Sequence, residues 1–257
     1  MPVWILACSR PRGAWPRRFL RDVLWGQYCL FLFVRIHDDI IDGQARDRRL
    51  IFIADDLLVE SRRSFARHFS DGRFDALCDE YLRATLRAIL EVDGLQSRAG
   101  AMTVNRVDLY ARVSAVFKVA AAAVCLRSRR EDLLPVISQF YDRLAIASQL
   151  VDDLFDLDED LKRGRYSVAA NVIFDGAGRR RQTRGPDAGL ARSIVVNDSI
   201  GRLLSVARRQ LDHAVHVIRP LRIDPATEYA MEFRNEIERL AGVVHRARVH
   251  HVFGTLC

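Results

Sequence analysis

Between Gln149 and Tyr166 the chain reads QLVDDLFDLDEDLKRGRY, and this stretch limits what the rest can become. Leu150, Val151, Leu154, Phe155, Leu157 and Leu161 recur at helical spacing. Gln149, Asp152, Asp156 and Asp160 fall at i, i+3, i+7 and i+11, which places them on one stripe of that helix. Like charges one turn apart destabilise an isolated helix by roughly 0.2–0.5 kcal/mol per pair. Such a stripe therefore needs water or a cation in front of it. Asp38, Asp39 and Asp42 form a second cluster, at the polar end of the greasy run WGQYCLFLFVRIHDDIID. The expectation is that the two clusters face each other across an apolar cavity and hold divalent metal.

The remainder reads as helix throughout. Fourteen glycines and seven prolines are few for 257 residues, and no pair of alternating runs is joined by a hairpin turn. The pattern predicts helices over 17–42, 48–69, 73–92, 102–127, 131–161, 188–218 and 226–252. It predicts an all-α antiparallel bundle around a central apolar cavity, as one domain over 1–257. Breaks are expected at Asp93-Gly94 and Ser97–Gly100, with Pro135 in the first turn of the following helix. Asp175–Gly189, with its glycines, Pro186 and Arg179–Arg181, is expected to be a long loop.

Several classes are set aside by composition. At 49% hydrophobic the chain is too apolar for disorder. Its longest apolar stretch, Val23–Ile36, is interrupted by Gln27 and is short of the about 20 residues that span a bilayer. No charged leader precedes the short apolar patch of MPVWILACSRPRG, so no signal peptide is expected. Cys8, Cys29, Cys78, Cys125 and Cys257 are scattered and lack CxxC spacing, which points to free thiols and a cytoplasmic location. The net charge of +7 rests on arginine, since Lys118 and Lys162 are the only lysines. The arginines are dispersed among acidic residues, so nucleic acid is not the expected partner, although a basic helical binding module stays open as a second class.

Asp38, Asp39 and Asp42 make a DDxxD pattern that Asp152, Asp153 and Asp156 repeat. Two copies by chance are expected in on the order of one chain in several hundred. Magnesium binds through one or two carboxylates plus waters and substrate phosphates. Two carboxylate clusters flanking a diphosphate would hold several such ions, neutralise the leaving group and permit C–O heterolysis without a protein nucleophile. Lys118 interrupts the small, apolar SAVFKVAAAAVCL and is the basic residue expected to complete the anion site.

On these residues the chain resembles the class I isoprenoid synthases, over about Leu24–Ile173. SQLVDDLFD is similar to the second aspartate-rich motif of the chain-elongating trans-prenyltransferases, with Gln149 before the aspartates, and HDDIID to their first. Lys118 matches the lysine of their Lys-Thr pair, with Val119 in place of the threonine. FVRIHDDIID also resembles the FxRxxDDxxD of phytoene and squalene synthases. DLDEDLKRGRY resembles their second motif, shortened by one residue in its tail, and adds Asp160, Arg163, Arg165 and Tyr166. The elongating enzymes' Gly-Gly-Lys-Arg-type segment has no counterpart near the N-terminus. Arg48-Arg49 follow the first motif after five residues rather than four, and Asn197-Asp198-Ser199 lacks the spacing of the cyclases' late metal motif.

The resemblance implies Mg2+-dependent ionisation of an allylic prenyl diphosphate, with three ions bound alongside it. Asp38, Asp39, Asp42, Asp152, Asp153, Asp156 and Asp160 would hold the metals. Arg35, Lys118, Gln149, Arg165 and Tyr166 would contact substrate. Phe31, Phe33, Phe117, Phe140 and Tyr141 would form the pocket wall, Phe33 limiting its depth. Because no second-substrate site is visible, cyclisation or elimination by a terpene synthase is placed ahead of condensation with a second prenyl unit. A non-catalytic partner subunit of a hetero-oligomeric synthase is the further alternative, and a homodimer is compatible with the resemblance.

Overall fold

A computed structural model describes residues 16–70, 72–176 and 198–254. Every regular element among them is helical: α1 (Arg17–Ile41), α2 (Leu50–Ala66), α3 (Arg73–Gln96), α4 (Asp108–Val113), α5 (Val119–Ser128), α6 (Leu134–Phe155), α7 (Leu157–Lys162), α8 (Val168–Gly176), α9 (Ser199–Ile218) and α10 (Asp224–Gly254), with short 3₁₀ turns between some of them. The predicted loop at 175–189 lies almost wholly outside the described residues. No single helix among them is long and apolar enough to cross a membrane.

The chain groups into two compact units. The first takes in the described residues up to Ile89, with Arg112–Tyr141 and Ile218–Ala226. The second takes in those of Leu90–Ala111, Asp142–Val217 and Thr227–Cys257.

In the first unit α1 follows Pro16 and buries Phe19, Val23, Gly26, Leu30 and Phe33, the three-and-four spacing of a helix with one greasy side. It packs along α2 at close range. A side-chain carbon built on Gly26 would stand 2.7 Å from the ring of Phe65, and the Ser61 hydroxyl donates to the Gly26 carbonyl at 2.8 Å. At the outer end of this pair the buried Asp22 accepts from His68 Nε2 at 2.9 Å and from Arg21 at 3.2 Å. Burial works to raise its pKa, and the hydrogen bonds from His68 and Arg21 outweigh it, holding the carboxyl below the ordinary aspartate value.

The helix predicted over 102–127 is not continuous. It divides into α4 and α5, with a 3₁₀ turn over Ala115–Lys118 between them. Thr85 and Gln27 make that break tolerable by taking up backbone groups that the interrupted ladder leaves over. The Thr85 hydroxyl accepts from the Val116 N–H at 2.9 Å and donates to the Arg112 carbonyl at 3.4 Å. Gln27 accepts from the Ala120 N–H at 2.9 Å and donates to the Val116 carbonyl at 3.3 Å. Lys118 sits at this junction, as the last residue of a 3₁₀ turn that α5 continues.

In the second unit the predicted helix over 131–161 also divides, because Asp156 leaves helical geometry (φ −90°, ψ 0°) and begins α7. The stripe that spacing extended unbroken to Asp160 is therefore interrupted at Asp156. α8 was not predicted as a helix of its own. α9 buries Leu203, Leu204, Ala207, Leu211 and Ala214, and Arg234 of α10 pairs with Asp212 at 2.5 Å.

Candidate functional site

In the first unit α1 carries Asp38 and Asp39 in its last turn and ends with Asp42 as its C-cap, with no basic residue in that turn. The C-terminal end of a helix is the negative end of its dipole, where a carboxylate is disfavoured by about 0.3–1 kcal/mol. Gly43, at φ +68°, closes the end. Its N–H bonds to the Ile40 carbonyl at 3.2 Å and that of Gln44 to the Asp39 carbonyl at 2.8 Å, a Schellman turn that a left-handed glycine permits. Arg35 reaches forward from one turn back, 2.9 Å from Asp39 and 3.7 Å from Asp38. In this state its guanidinium is a partial counter-charge to the cluster. Asp38 remains 40% exposed.

Of the aromatic residues assigned to a pocket wall, Phe33 is buried and packs on His37, with ring centroids 4.5 Å apart. Phe140 and Tyr141 are buried, whereas Phe31 is exposed and meets Phe117 at 6.0 Å. Lys118 is 8% exposed, with Nζ 5.9 Å from the centre of the Tyr81 ring, within cation–π range.

The second unit repeats the helix-end pattern. Asp152 and Asp153 lie in the last turn of α6, which also lacks a basic residue, and Asp156 follows as the N-cap of α7. Asp152 and Asp156 are exposed. Desolvation by the protein around it, and next the charge of Asp156, hold the Asp152 carboxyl above the ordinary aspartate value even though the residue is exposed to solvent. Their acidic neighbours are matched: Lys162 lies 2.5 Å from Asp158 and Arg163 lies 2.5 Å from Glu159. α7 closes on Gly164 at φ +71°, whose N–H bonds to the Leu161 carbonyl at 3.1 Å, while that of Arg165 bonds to the Asp160 carbonyl at 2.8 Å. This second Schellman turn is the structural content of RGRY. It returns the chain to α3, where Arg165 donates to the Gln96 side chain at 2.7 Å and the Tyr166 N–H donates to the Gln96 carbonyl at 2.7 Å.

Asp153 differs from its neighbours in the motif. Its carboxylate is buried and accepts from the Tyr110 hydroxyl at 2.6 Å, the Val168 N–H at 3.1 Å and Gln149 Nε2 at 3.2 Å. Burial pushes its pKa up to about 7 against the opposing pull of those hydrogen bonds. Burial and the Asp153 charge push the Tyr110 phenol well above its usual value. Gln149 thus has Asp153, one turn on, as a hydrogen-bond partner of its side-chain amide.

Sequence reasoning did not single out Tyr110, Gln96, Thr85 or Asn171. Asn171 donates to the Met102 and Tyr166 carbonyls at 2.7 and 3.0 Å and accepts from the Gly100 N–H at 2.7 Å. The signal for it was present, a lone amide inside the apolar run SVAANVIF. Tyr110, in VDLYARV, carries no such local mark.

Among the described residues no group of three His, Cys, Asp or Glu side chains converges as a ready metal cage. Magnesium does not need one, since it keeps several waters and takes one or two carboxylates with substrate phosphate. Oxygen donors at the two helix ends, exposed at Asp152 and Asp156 and part-exposed at Asp38, fit that mode.

The fold is the all-helical fold of the isoprenoid synthases. A decaprenyl diphosphate synthase from Rhodobacter capsulatus shares it with a TM-score of 0.72 and 16% identity, over 92% of this chain and 85% of that one. A polyprenyl synthase from Roseobacter denitrificans shares it with a TM-score of 0.72 and 17% identity, over 95% of this chain and 84% of that one. No protein-family model and no curated protein sequence matches the chain.

Proposed function

We propose that this protein is a Mg2+-dependent prenyltransferase that ionises an allylic prenyl diphosphate and joins the resulting cation to a second prenyl unit, releasing pyrophosphate. The observation that carries the reading is the pairing of two aspartate-tipped helix ends with a fold shared by two prenyl synthases over more than nine-tenths of the chain. The same likeness supports condensation over cyclisation or elimination, the reverse of the order expected from sequence.

In this reading Asp38, Asp39 and Asp42 have the same task as Asp152, Asp156 and Asp160, holding Mg2+ for a diphosphate. Mg2+ bound there supplies charge neutralisation of the leaving group. Arg35 orients Asp38 and Asp39 from one turn back. Lys118 offers a buried ammonium to the diphosphate, fixed at the helix break that Thr85 and Gln27 maintain. In the second unit Arg165, braced by Gln96, keeps the RGRY turn in place and with Tyr166 serves as an anion contact.

The test is product analysis after incubation with C10–C20 allylic diphosphates and Mg2+, with and without isopentenyl diphosphate. The reading expects longer prenyl diphosphates only when isopentenyl diphosphate is present. Cyclic or eliminated hydrocarbons from the allylic substrate alone would reject condensation in favour of a terpene synthase. A head-to-head product from two allylic units would instead support the phytoene and squalene synthase likeness of the motifs.

A further inference from the structure

Three donors enclose the Asp153 carboxylate, which is 3% exposed on its side chain's residue, while Asp152 beside it and Asp156 one turn on are exposed. Adjacent residues of a helix point about 100° apart, so a DDxxD segment cannot present all its carboxylates to one ion equally. Oδ2 of Asp153 takes the Tyr110 hydroxyl and the Val168 N–H, and Oδ1 takes Gln149. Val168 is the first residue of α8, so its N–H has no acceptor within its own helix. Asp153 supplies that acceptor from α6. Tyr110 belongs to α4, and one carboxylate therefore ties together three helices. Asn171 adds a second tie from α8 to the Tyr166 carbonyl. The chain leaving RGRY is thus anchored at successive points, by Gln96 at Arg165 and Tyr166, and by Asp153 at Val168.

We infer that Asp153 is a positioning residue and not a metal ligand. With Tyr110, Gln149 and the Val168 amide it locks the end of α6 and the RGRY turn, so that Asp152 and Asp156 are the carboxylates offered to an ion. The inference rests on the function proposed above. A ligand role would require Asp153 to give up these donors and turn outward, leaving the buried Val168 N–H without its acceptor and the Tyr110 hydroxyl without its carboxylate partner.

Calorimetric titration of the full-length protein with pyrophosphate in the presence of Mg2+ decides between the roles without depending on turnover. Asp152→Asn, Asp153→Asn, Asp153→Ala and Tyr110→Phe are compared with the natural protein. An asparagine keeps an oxygen for Tyr110 and Val168, and the Gln149 amide can rotate to accept from its new NH2. Asp153→Asn is therefore expected to bind within about threefold of the natural protein, whereas Asp153→Ala and Tyr110→Phe lose about tenfold, the scale seen when a partner behind a ligand is removed. Asp152→Asn is expected to lose more than any of them. If Asp153→Asn falls as far as Asp152→Asn while Tyr110→Phe is unaffected, Asp153 is a ligand and the inference is overturned. A double-mutant cycle of Asp153→Ala with Tyr110→Phe in chemical unfolding tests the lock separately: coupling supports it and additivity overturns it. If the natural protein shows no Mg2+-dependent pyrophosphate binding, the functional reading and the metal part of this inference fall together, and the unfolding cycle still decides the lock.

Discussion

Replacing Gly26 with alanine adds one methyl group where α1 meets α2, and the structure sets the size and sign of the result. The new carbon would stand 2.7 Å from Cε2 of Phe65 and 3.0 Å from two further ring atoms. Phe65 cannot simply swing aside, because its ring is buried against Phe74 with centroids 4.8 Å apart. Overpacking a filled site of this kind costs about 1–3 kcal/mol. Alanine is the better helix former and returns about 1 kcal/mol, so the net loss is about 1 kcal/mol at the middle of the range. Gly94 provides the control, since it lies within α3 and a side-chain carbon there meets nothing within 4 Å. Gly94→Ala is therefore expected to stabilise by up to about 1 kcal/mol. Thermal melting of the two variants should move in opposite directions, by roughly 2–4 °C per kcal/mol for a chain of this size. A Gly26→Ala protein that melts above the natural one, as Gly94→Ala is expected to, would refute the close α1–α2 packing on which the placement of Asp38–Asp42 within the first unit depends.

Other outcomes follow from single contacts. Asp22→Asn should destabilise the protein at neutral pH by about 1–3 kcal/mol, the value of hydrogen bonds to a charged group. Because the folded-state pKa of Asp22 is depressed, its contribution is present above the unfolded value near 4 and is lost as pH falls through the lower folded value. Urea unfolding of Asp22→Asn and the natural protein should therefore converge only below about pH 4; a constant gap down to low pH would contradict the assignment. Arg129 ends α5 at φ +56°, a left-handed position with its carbonyl-seeking N–H bonded to Leu126. Arg129→Gly should stabilise by about 1 kcal/mol, and unchanged or reduced stability in the same unfolding assay would show that the arginine side chain compensates the backbone cost. Gln27→Leu should lower stability by about 1–3 kcal/mol, because the Ala120 N–H and Val116 carbonyl lose their side-chain partner. An unaltered melting temperature would mean that other groups satisfy the break beside Lys118.

The helical class was legible in the periodicity and the scarcity of glycine and proline, and α1 was expected over 17–42 against the observed Arg17–Ile41. What was not legible has a common cause. The break before α5 is held by Thr85 and Gln27, which lie 31 and 93 residues from the amides they cap. The bend at Asp156 interrupts a run without glycine or proline, so no local breaker announces it. Both aspartate motifs could be found by spacing, yet the separate position of Asp153 could not, since its burial depends on Tyr110 and Val168, 43 and 15 residues away. The Gly164 turn was the opposite case. RGRY was marked as a unit in sequence, and its left-handed glycine explains why that unit returns to Gln96. The order of cyclisation before condensation rests on motif departures alone, which say nothing of the pocket that decides between them.

The most direct test of the central claim is the melting temperature of the protein with Mg2+ alone, pyrophosphate alone, and both together. If the two aspartate-tipped helix ends hold Mg2+ for a diphosphate, only the combination should stabilise. The effect should approach 2.7 kcal/mol, roughly 5–10 °C, at about a hundredfold excess over the dissociation constant. Asp38→Ala and Asp152→Ala should each abolish that increment. An unchanged melting temperature with both ligands present would contradict the metal–diphosphate reading of this protein.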